Sequence, residues 1–280
     1  MALRDVRALV FDVFGTVVDW RSSVIRELEA AGARYGVSAD WGAFADAWRY
    51  EGYLGGIAKV NRGEWPFMTT DALHRRKLDE LLPQYGLGGM PEAEREDLNR
   101  AWHRLDPWPD SVPGLWRLKQ RYVISTLSNG NVALLVHMAK RAGLPWDCVL
   151  GADALGAFKP KPEAYLAGAR LLGYAPGQVM LVAAHKADLK AAQAAGLRAA
   201  FIPRPKEAGP NVQPDLEPEP SFDITARDFL ELARLLEEAD GVAAGQGSQR
   251  GRSPPTASGV RSPDSRSRVM VVNCCAVWTV

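Results

Sequence analysis

Cysteine is scarce in this chain: three among 280 residues, with Cys148 in an apolar run and Cys274 and Cys275 adjacent near the end. That excludes a disulfide framework and any CxxC metal spacing, and it points to a reducing cytoplasm. Charge imbalance is missing as well. A formal net charge of +1 leaves no electrostatic footprint for nucleic acid or an anionic membrane surface as the main partner. No apolar run approaches the ~20 residues a membrane span needs. The start, Met1-Ala2-Leu3-Arg4-Asp5, leads directly into a strand rather than a signal peptide. What remains, 47% hydrophobic and 24% charged, is the composition of a soluble globular protein with one large domain or two smaller ones.

Val6 to Phe11 is an apolar, β-branched run of the kind buried in parallel sheets, and it ends at Asp12. Residues 18–106 then read as helical, with no convincing strand. One helix spans Ser22 to Tyr35, and a second is capped by Asp40 and loosened at Gly55-Gly56. A third runs from about Thr70 to Tyr85, and a fourth from Pro91 to Trp102. Five of the nine tryptophans (20, 41, 48, 65, 102) fall in this block. They read as core, and those facing the sheet would build a small apolar pocket.

Strand and helix then alternate. Strands are expected at Tyr122–Leu127, Asp147–Leu150, Val179–Ala183 and Ala199–Ile202, with an edge strand at Phe222–Thr225 and a closing helix at Asp228–Ala239. The pattern predicts an α/β, Rossmann-like doubly wound parallel sheet with the helical block inserted after the first strand. From Gly241 to Arg268, Gln, Gly, Ser, Pro and Arg dominate, and Val269–Val280 is abruptly apolar. Residues 241–280 therefore read as a disordered or non-native C-terminal extension.

Parallel α/β sheets place chemistry at the carboxyl ends of their strands. Asp12 follows the first strand, Ser128-Asn129 the second, Lys159 the third and Asp188 the fourth. Asp12 there is a nucleophile, a metal ligand or a turn acid. Lys159, in the rigid run Lys159-Pro160-Lys161-Pro162, would keep a partly desolvated Asp12 ionised. Ser128 and Asn129 are donors to that carboxylate or to an anionic substrate, or helix caps. Asp188 could orient Lys159, bind a metal, act as base or cap a helix.

Together these residues resemble the haloacid dehalogenase superfamily. Phe11-Asp12-Val13-Phe14-Gly15-Thr16 is similar to its first motif, Ser128-Asn129-Gly130 to the second, Lys159-Pro160 to the third and Asp188 to the fourth. The resemblance implies a core of residues 1–17 and 107–240 and a helical cap of residues 18–106. Phosphotransferase members carry an acid two residues after the nucleophile, where this chain has Phe14. An aromatic there followed by Gly-Thr resembles the L-2-haloacid dehalogenase branch, whose leaving halide needs no proton. That branch implies a small halogenated carboxylic acid as substrate, no metal or other cofactor, and commonly a homodimer. It also implies that Asp12, Thr16, Lys159 and Asp188 are catalytic. Arg49, in Ala47-Trp48-Arg49-Tyr50, resembles the residue that receives the halide. Phe14, Asn129, Ser128 and Tyr165 then belong to the substrate and halide pocket.

Motif four departs from the branch's pattern. Ala183-Ala184-His185-Lys186-Ala187-Asp188 stands where a Ser-Ser-Asn and an aromatic are usual. A serine hydroxyl is lost, Ala187 opens space, and His185 is either a site residue titrating near neutral pH or a helix cap. Lys186 reads as a solvated charge. Two other readings of the chain remain: a magnesium-dependent phosphatase or phosphonatase of the same fold, and a non-catalytic binding descendant.

Overall fold

In the computed structural model, which describes residues 3–210 and 212–247, the first apolar run forms strand β1 (Ala8–Phe11), buried along its whole length. A short strand β2 (Val18–Asp19) follows, and then the helical block. It comprises α1 (Trp20–Arg34), α2 (Trp41–Ala47), α3 (Gly55–Asn61), α4 (Thr70–Gln84) and α5 (Glu92–Asn99). Asp40 caps α2 by accepting from the Ala43 N–H at 2.8 Å, as its residue type favours. Between α2 and α3 the chain does not loosen at the paired glycines. It stays helical but widens into a π-helix over Trp48–Leu54. Such wide turns are uncommon and gather at functional sites.

The block is not free of strand. β3 (Asp106–Pro107) pairs antiparallel with β2, so a two-stranded neck marks where the chain leaves the sheet and returns. Two-residue strands leave no periodicity to read in the sequence.

Beyond the neck come α6 (Ser111–Lys119), β4 (Val123–Thr126), α7 (Val132–Ala142), α8 (Ala152–Leu155) and α9 (Pro162–Leu171). They are followed by β5 (Val179–Ala183), α10 (Lys186–Ala194), β6 (Arg198–Phe201), β7 (Ile224–Thr225) and α11 (Phe229–Gly247). The sheet order is β4-β1-β5-β6-β7, with every pairing parallel. The expected strand at Asp147–Leu150 is reduced to a single bridge between Ser125 and Cys148. Main-chain bonds to β4 persist on either side of the bridge, from Asp147 N–H to Ile124 O at 2.9 Å and from Ser128 N–H to Leu150 O at 3.2 Å. Side chains fill the places between: Thr126 Oγ1 accepts from Leu150 N–H at 2.8 Å, and Asp147 accepts from Ile124 N–H at 2.9 Å. The last helix runs on to Gly247, past the change of composition at Gly241. The remainder of the expected extension, 248–280, lies outside the described residues.

Register sets the position of the site. Phe11 pairs with Thr126 on one side and Val182 on the other, so the three carboxyl ends finish level. Both faces of the sheet are covered by apolar clusters, leaving that rim as the edge where polar side chains converge. No helix among the described residues is long and apolar enough to cross a membrane.

Candidate active site

Asp12 begins where β1 ends, is only 8% exposed, and has partners on both carboxylate oxygens. Lys159 Nζ donates to Oδ1 at 3.0 Å. Thr16 Oγ1 donates to Oδ2 at 2.8 Å, and His185 Nδ1 lies 3.0 Å from the same oxygen. The Thr16 hydroxyl is aimed by its own acceptor role, since it receives the Ala184 N–H at 2.9 Å. That donor is main chain, so the alanines of motif four supply it as well as serines would. Burial alone would raise the Asp12 carboxyl. The Lys159 ammonium and the His185 imidazole outweigh it and hold the group well below the usual carboxylate range.

Lys159 is buried between two acids, its Nζ donating to Asp12 and to Asp188 Oδ2. Against the cost of burial, those two carboxylates hold its ammonium above the usual lysine range. Asp188 lies in the first turn of α10, where a negative charge suits the helix dipole. Its other oxygen accepts from Tyr165 Oη at 2.6 Å, so both of its oxygens are committed. Asn129 acts on the lysine through the main chain: Oδ1 accepts Lys159 N–H at 2.7 Å and Nδ2 donates to Lys159 O at 3.3 Å. Ser128 is fully buried, and its Oγ accepts from Gly130 N–H at 3.1 Å. That places the serine beneath the turn, whereas Asn129 reaches the cavity.

The cavity has a volume of about 380 Å³ and lies between this rim and the helical block, with Asp12, Arg49, Tyr53, Asn129, Lys159, His185 and Asp188 on its walls. Arg49 and Tyr53 come from the π-helix. The Arg49 guanidinium is buried in an aromatic box, with Cζ 5.4 Å from the Phe14 ring centre, 5.3 Å from Trp20 and 4.6 Å from Tyr53. Its Nη1 has no hydrogen-bond partner among the described residues. A buried cationic donor of this kind is costly unless an anion meets it. Phe14 is thus a wall of the box, and Trp20, Trp48 and Trp102 form the aromatic cluster around it.

His185 occupies the N-cap position of α10 but makes no side-chain cap bond. Its ring bridges two carboxylates instead, Asp12 through Nδ1 and Glu207 through Nε2 at 2.9 Å. Burial would lower the imidazole, but the hydrogen bonds and charges of Asp12 and Glu207 outweigh it and raise its pKa to about 10. A folded pKa above the ordinary ~6.5 contributes stability that is complete below that value and is lost as pH rises through about 10. The side chain is 37% exposed, so screening keeps this contribution modest. The melting temperature should fall between about pH 7 and pH 10, and His185→Asn should flatten that part of the curve. Parallel curves for the two proteins would contradict the raised pKa.

Two residues of the site were not among the sequence candidates. Glu207 sits in the segment after β6, accepts from Trp20 Nε1 at 3.3 Å, and covers Gly15. A Cβ on Gly15 would stand 1.9 Å from the Glu207 carboxylate, and Gly15 has φ +89°, so only glycine fits. Arg204 donates to Thr16 O at 2.9 Å and forms a two-pronged pair with Asp110, which ties the Asp12 loop to α6. Both follow the end of β6, so the strand-end rule that found Asp12 also points to them. Lys186 is not a freely solvated charge: its stem is largely covered and Nζ pairs with Asp215 at 2.6 Å.

Comparison with known proteins places this geometry among relatives. The haloacid dehalogenase-like hydrolase family matches residues 6–196. The chain is 30% identical over 204 residues to (S)-2-haloacid dehalogenase 4A of Burkholderia cepacia, covering 71% of this chain and 84% of that one. A crystal structure of a defluorinating L-2-haloacid dehalogenase is 48% identical with a TM-score of 0.80, over 83% of this chain and 95% of that one. The Xanthobacter autotrophicus L-2-haloacid dehalogenase with chloropropionic acid covalently bound is 25% identical with a TM-score of 0.70, over 83% and 98%. A phosphoglycolate phosphatase of Neisseria meningitidis is also similar, 29% identical over 200 residues, 70% of this chain and 79% of that one.

Proposed function

The chain belongs to the haloacid dehalogenase-like hydrolases, and from that premise we propose that it hydrolyses short 2-haloalkanoic acids to 2-hydroxy acids through an ester on Asp12. The observation that carries this reading is the buried Arg49 guanidinium, with an unpartnered Nη1, in the same cavity as a buried, ionised Asp12. A carboxylate nucleophile and a desolvated cation for the departing anion are what displacement at a carbon–halogen bond requires.

In the first step Asp12 attacks the carbon bearing the halogen, the carbon–halogen bond breaks, and halide leaves toward Arg49. Lys159 and Thr16 hold the carboxylate in line, and Asn129, on the same cavity as Arg49, is the second donor to the halide. Orientation of this kind contributes up to ~7–11 kcal/mol. In the second step water attacks the carboxyl carbon of Asp12 and frees the hydroxy acid. Lys159, fixed by Asp188 and Tyr165, keeps the regenerated carboxylate ionised. The helical block, residues 18–106, serves as the cap that closes on the 1–17 and 107–240 core.

A magnesium-dependent phosphatase fits these residues poorly. Phe14 offers no acid for an alkoxide leaving group. Every oxygen of Asp12 and Asp188 already accepts from Lys159, Thr16, His185 or Tyr165, so a divalent ion would have to displace protein donors. We assign the enzyme to the cytoplasm; we also propose a homodimer, and light scattering on the purified protein tests that oligomeric state.

Chloro-, bromo- and fluoroacetate and 2-chloropropionate should release halide, undiminished by EDTA, while phosphoglycolate with magnesium yields no phosphate. Phosphate release without halide release would overturn the assignment. Arg49→Lys keeps a charge but loses the planar fork and its stacking, and should slow chloride release from L-2-chloropropionate about 10²-fold. A rate close to wild type, measured by the same halide assay, would remove Arg49 from the halide role.

A further inference from the structure

The two donors assigned to the halide come from different halves of the molecule, Arg49 from the helical block and Asn129 from the turn after β4. The helical block grips that turn directly. Thr70, fully buried at the start of α4, donates its hydroxyl to Asn129 O. Beside it, Asp71 N–H donates to Asn131 Oδ1 at 3.2 Å, and Asn131 Nδ2 donates back to Asp71 Oδ2 at 2.9 Å. The other Asp71 oxygen accepts from His103 Nε2 at 2.9 Å, and His103 Nδ1 lies 2.9 Å from Nδ1 of His137 on α7. Burial alone would raise the Asp71 carboxyl; the hydrogen bonds from His103 and Asn131 outweigh it and hold the group below its ordinary value.

Two details tie this clasp to the turn rather than to the helices alone. Asn131 stands at the N-cap position of α7 but makes no cap bond, and Val132 N–H goes instead to Asp153 Oδ1 at 3.0 Å. An N-cap asparagine ordinarily satisfies its own helix, so here its amide is diverted across to Asp71. Between the two gripped residues, Gly130 packs on a wall of the Arg49 box: a Cβ there would stand 3.1 Å from Phe14 Cε2.

We propose that Thr70 and Asp71 are positioning residues for halide departure: by gripping residues 129 and 131 they set the Asn129 amide opposite the Arg49 guanidinium. The proposal rests on the displacement reading above. Neither residue stands on the cavity wall, so both act through the turn. Their effect falls on the first step, in which the halide gains its charge. A reacting group misplaced by ~1 Å costs on the order of 10²-fold in rate. Water attacks the Asp12 ester only after the halide has formed, and that step does not use this pair of donors.

Single turnovers of 2-chloropropionate by excess whole enzyme, read by chloride and by the hydroxy acid, follow the two steps. Thr70→Val is nearly isosteric and removes only the donor to Asn129 O, and it should slow chloride release about tenfold or more. Thr70→Ser keeps the hydroxyl and should stay close to wild type. Asn131→Asp sets two carboxylates face to face and should slow chloride release comparably. Adding Asp71→Asn to Asn131→Asp exchanges the amide and the carboxylate, rebuilds the pair, and should recover most of the loss. In the slowed variants the concentration for half-saturation should move far less than the maximal rate, and ester hydrolysis should keep its wild-type rate constant. Thr70→Val leaves the Asp71 pair intact, so it decides the matter if Asn131→Asp does not fold. Chloride release at the wild-type rate in Thr70→Val, no recovery in Thr70→Ser or in the exchanged pair, or equal slowing of both steps would overturn the proposal and leave the displacement reading standing. No chloride from wild type would overturn that reading and this proposal with it.

Discussion

Asp12→Asn should abolish halide release, with turnover down on the order of 10⁴-fold or more, while the protein melts close to the wild-type temperature. The two halves of that expectation come from one geometry. The amide is nearly the carboxylate's size but is not a nucleophile, so the first step loses its attacking oxygen. The surrounding charges keep partners: Lys159 still meets Asp188, and His185 still meets Glu207. No buried ion is orphaned, which is the event that makes such substitutions costly to the fold. Halide assays on variant and wild type, with a thermal melt of each, check both halves. Activity within tenfold of wild type would mean that another group attacks the substrate.

Lys159→Met should fail differently, losing both activity and stability. The ammonium sits between Asp12 and Asp188 with 5% of its side chain exposed, and a thioether cannot neutralise either acid. Two buried carboxylates then face each other, and one must protonate. Asp12, held far below its usual range in the wild type, should move up. Halide release should therefore fall about 10³-fold at neutral pH and acquire an acid limb that wild type lacks above about pH 4. Removing one partner of a buried pair costs about 3–5 kcal/mol, or on the order of 10 °C in melting temperature for a domain of this size. Lys159→Arg, which keeps the charge, should recover much of the stability. A melt unchanged in Lys159→Met would show that the ammonium does not hold the two acids.

Much of the site was legible because parallel sheets reveal their rims. Asp12, Asn129 and Asp188 follow the apolar strands β1, β4 and β5, whose register brings their ends together, and Lys159 follows the apolar run 147–150 that bridges to β4. Arg49 was legible through the resemblance alone, since helical periodicity does not distinguish a buried arginine from a surface one. The sequence suggests a loosened helix at Gly55-Gly56, whereas the departure from regular helix is the π-helix at Trp48–Leu54 that carries Arg49, and nothing local encodes a wider turn. Glu207 escaped for the opposite reason. Its segment, rich in proline and acids, carries no periodicity, and its role arises only from long-range packing against Gly15, Trp20 and His185. The run 147–150 forms only a bridge, and an apolar run does not show where Thr126 Oγ1 will stand in for main-chain partners, donating to Leu150 O and accepting from its N–H.

The most direct test of the account is a single turnover of 2-chloropropionate by excess enzyme in ¹⁸O-labelled water, followed by peptide mass spectrometry across Asp12. Attack of water on the ester's carboxyl carbon predicts one labelled oxygen in the Asp12 carboxylate and an unlabelled hydroxyl in the first product formed. Label in that product and none in Asp12 would mean that water attacks the substrate carbon directly, and would contradict the ester route.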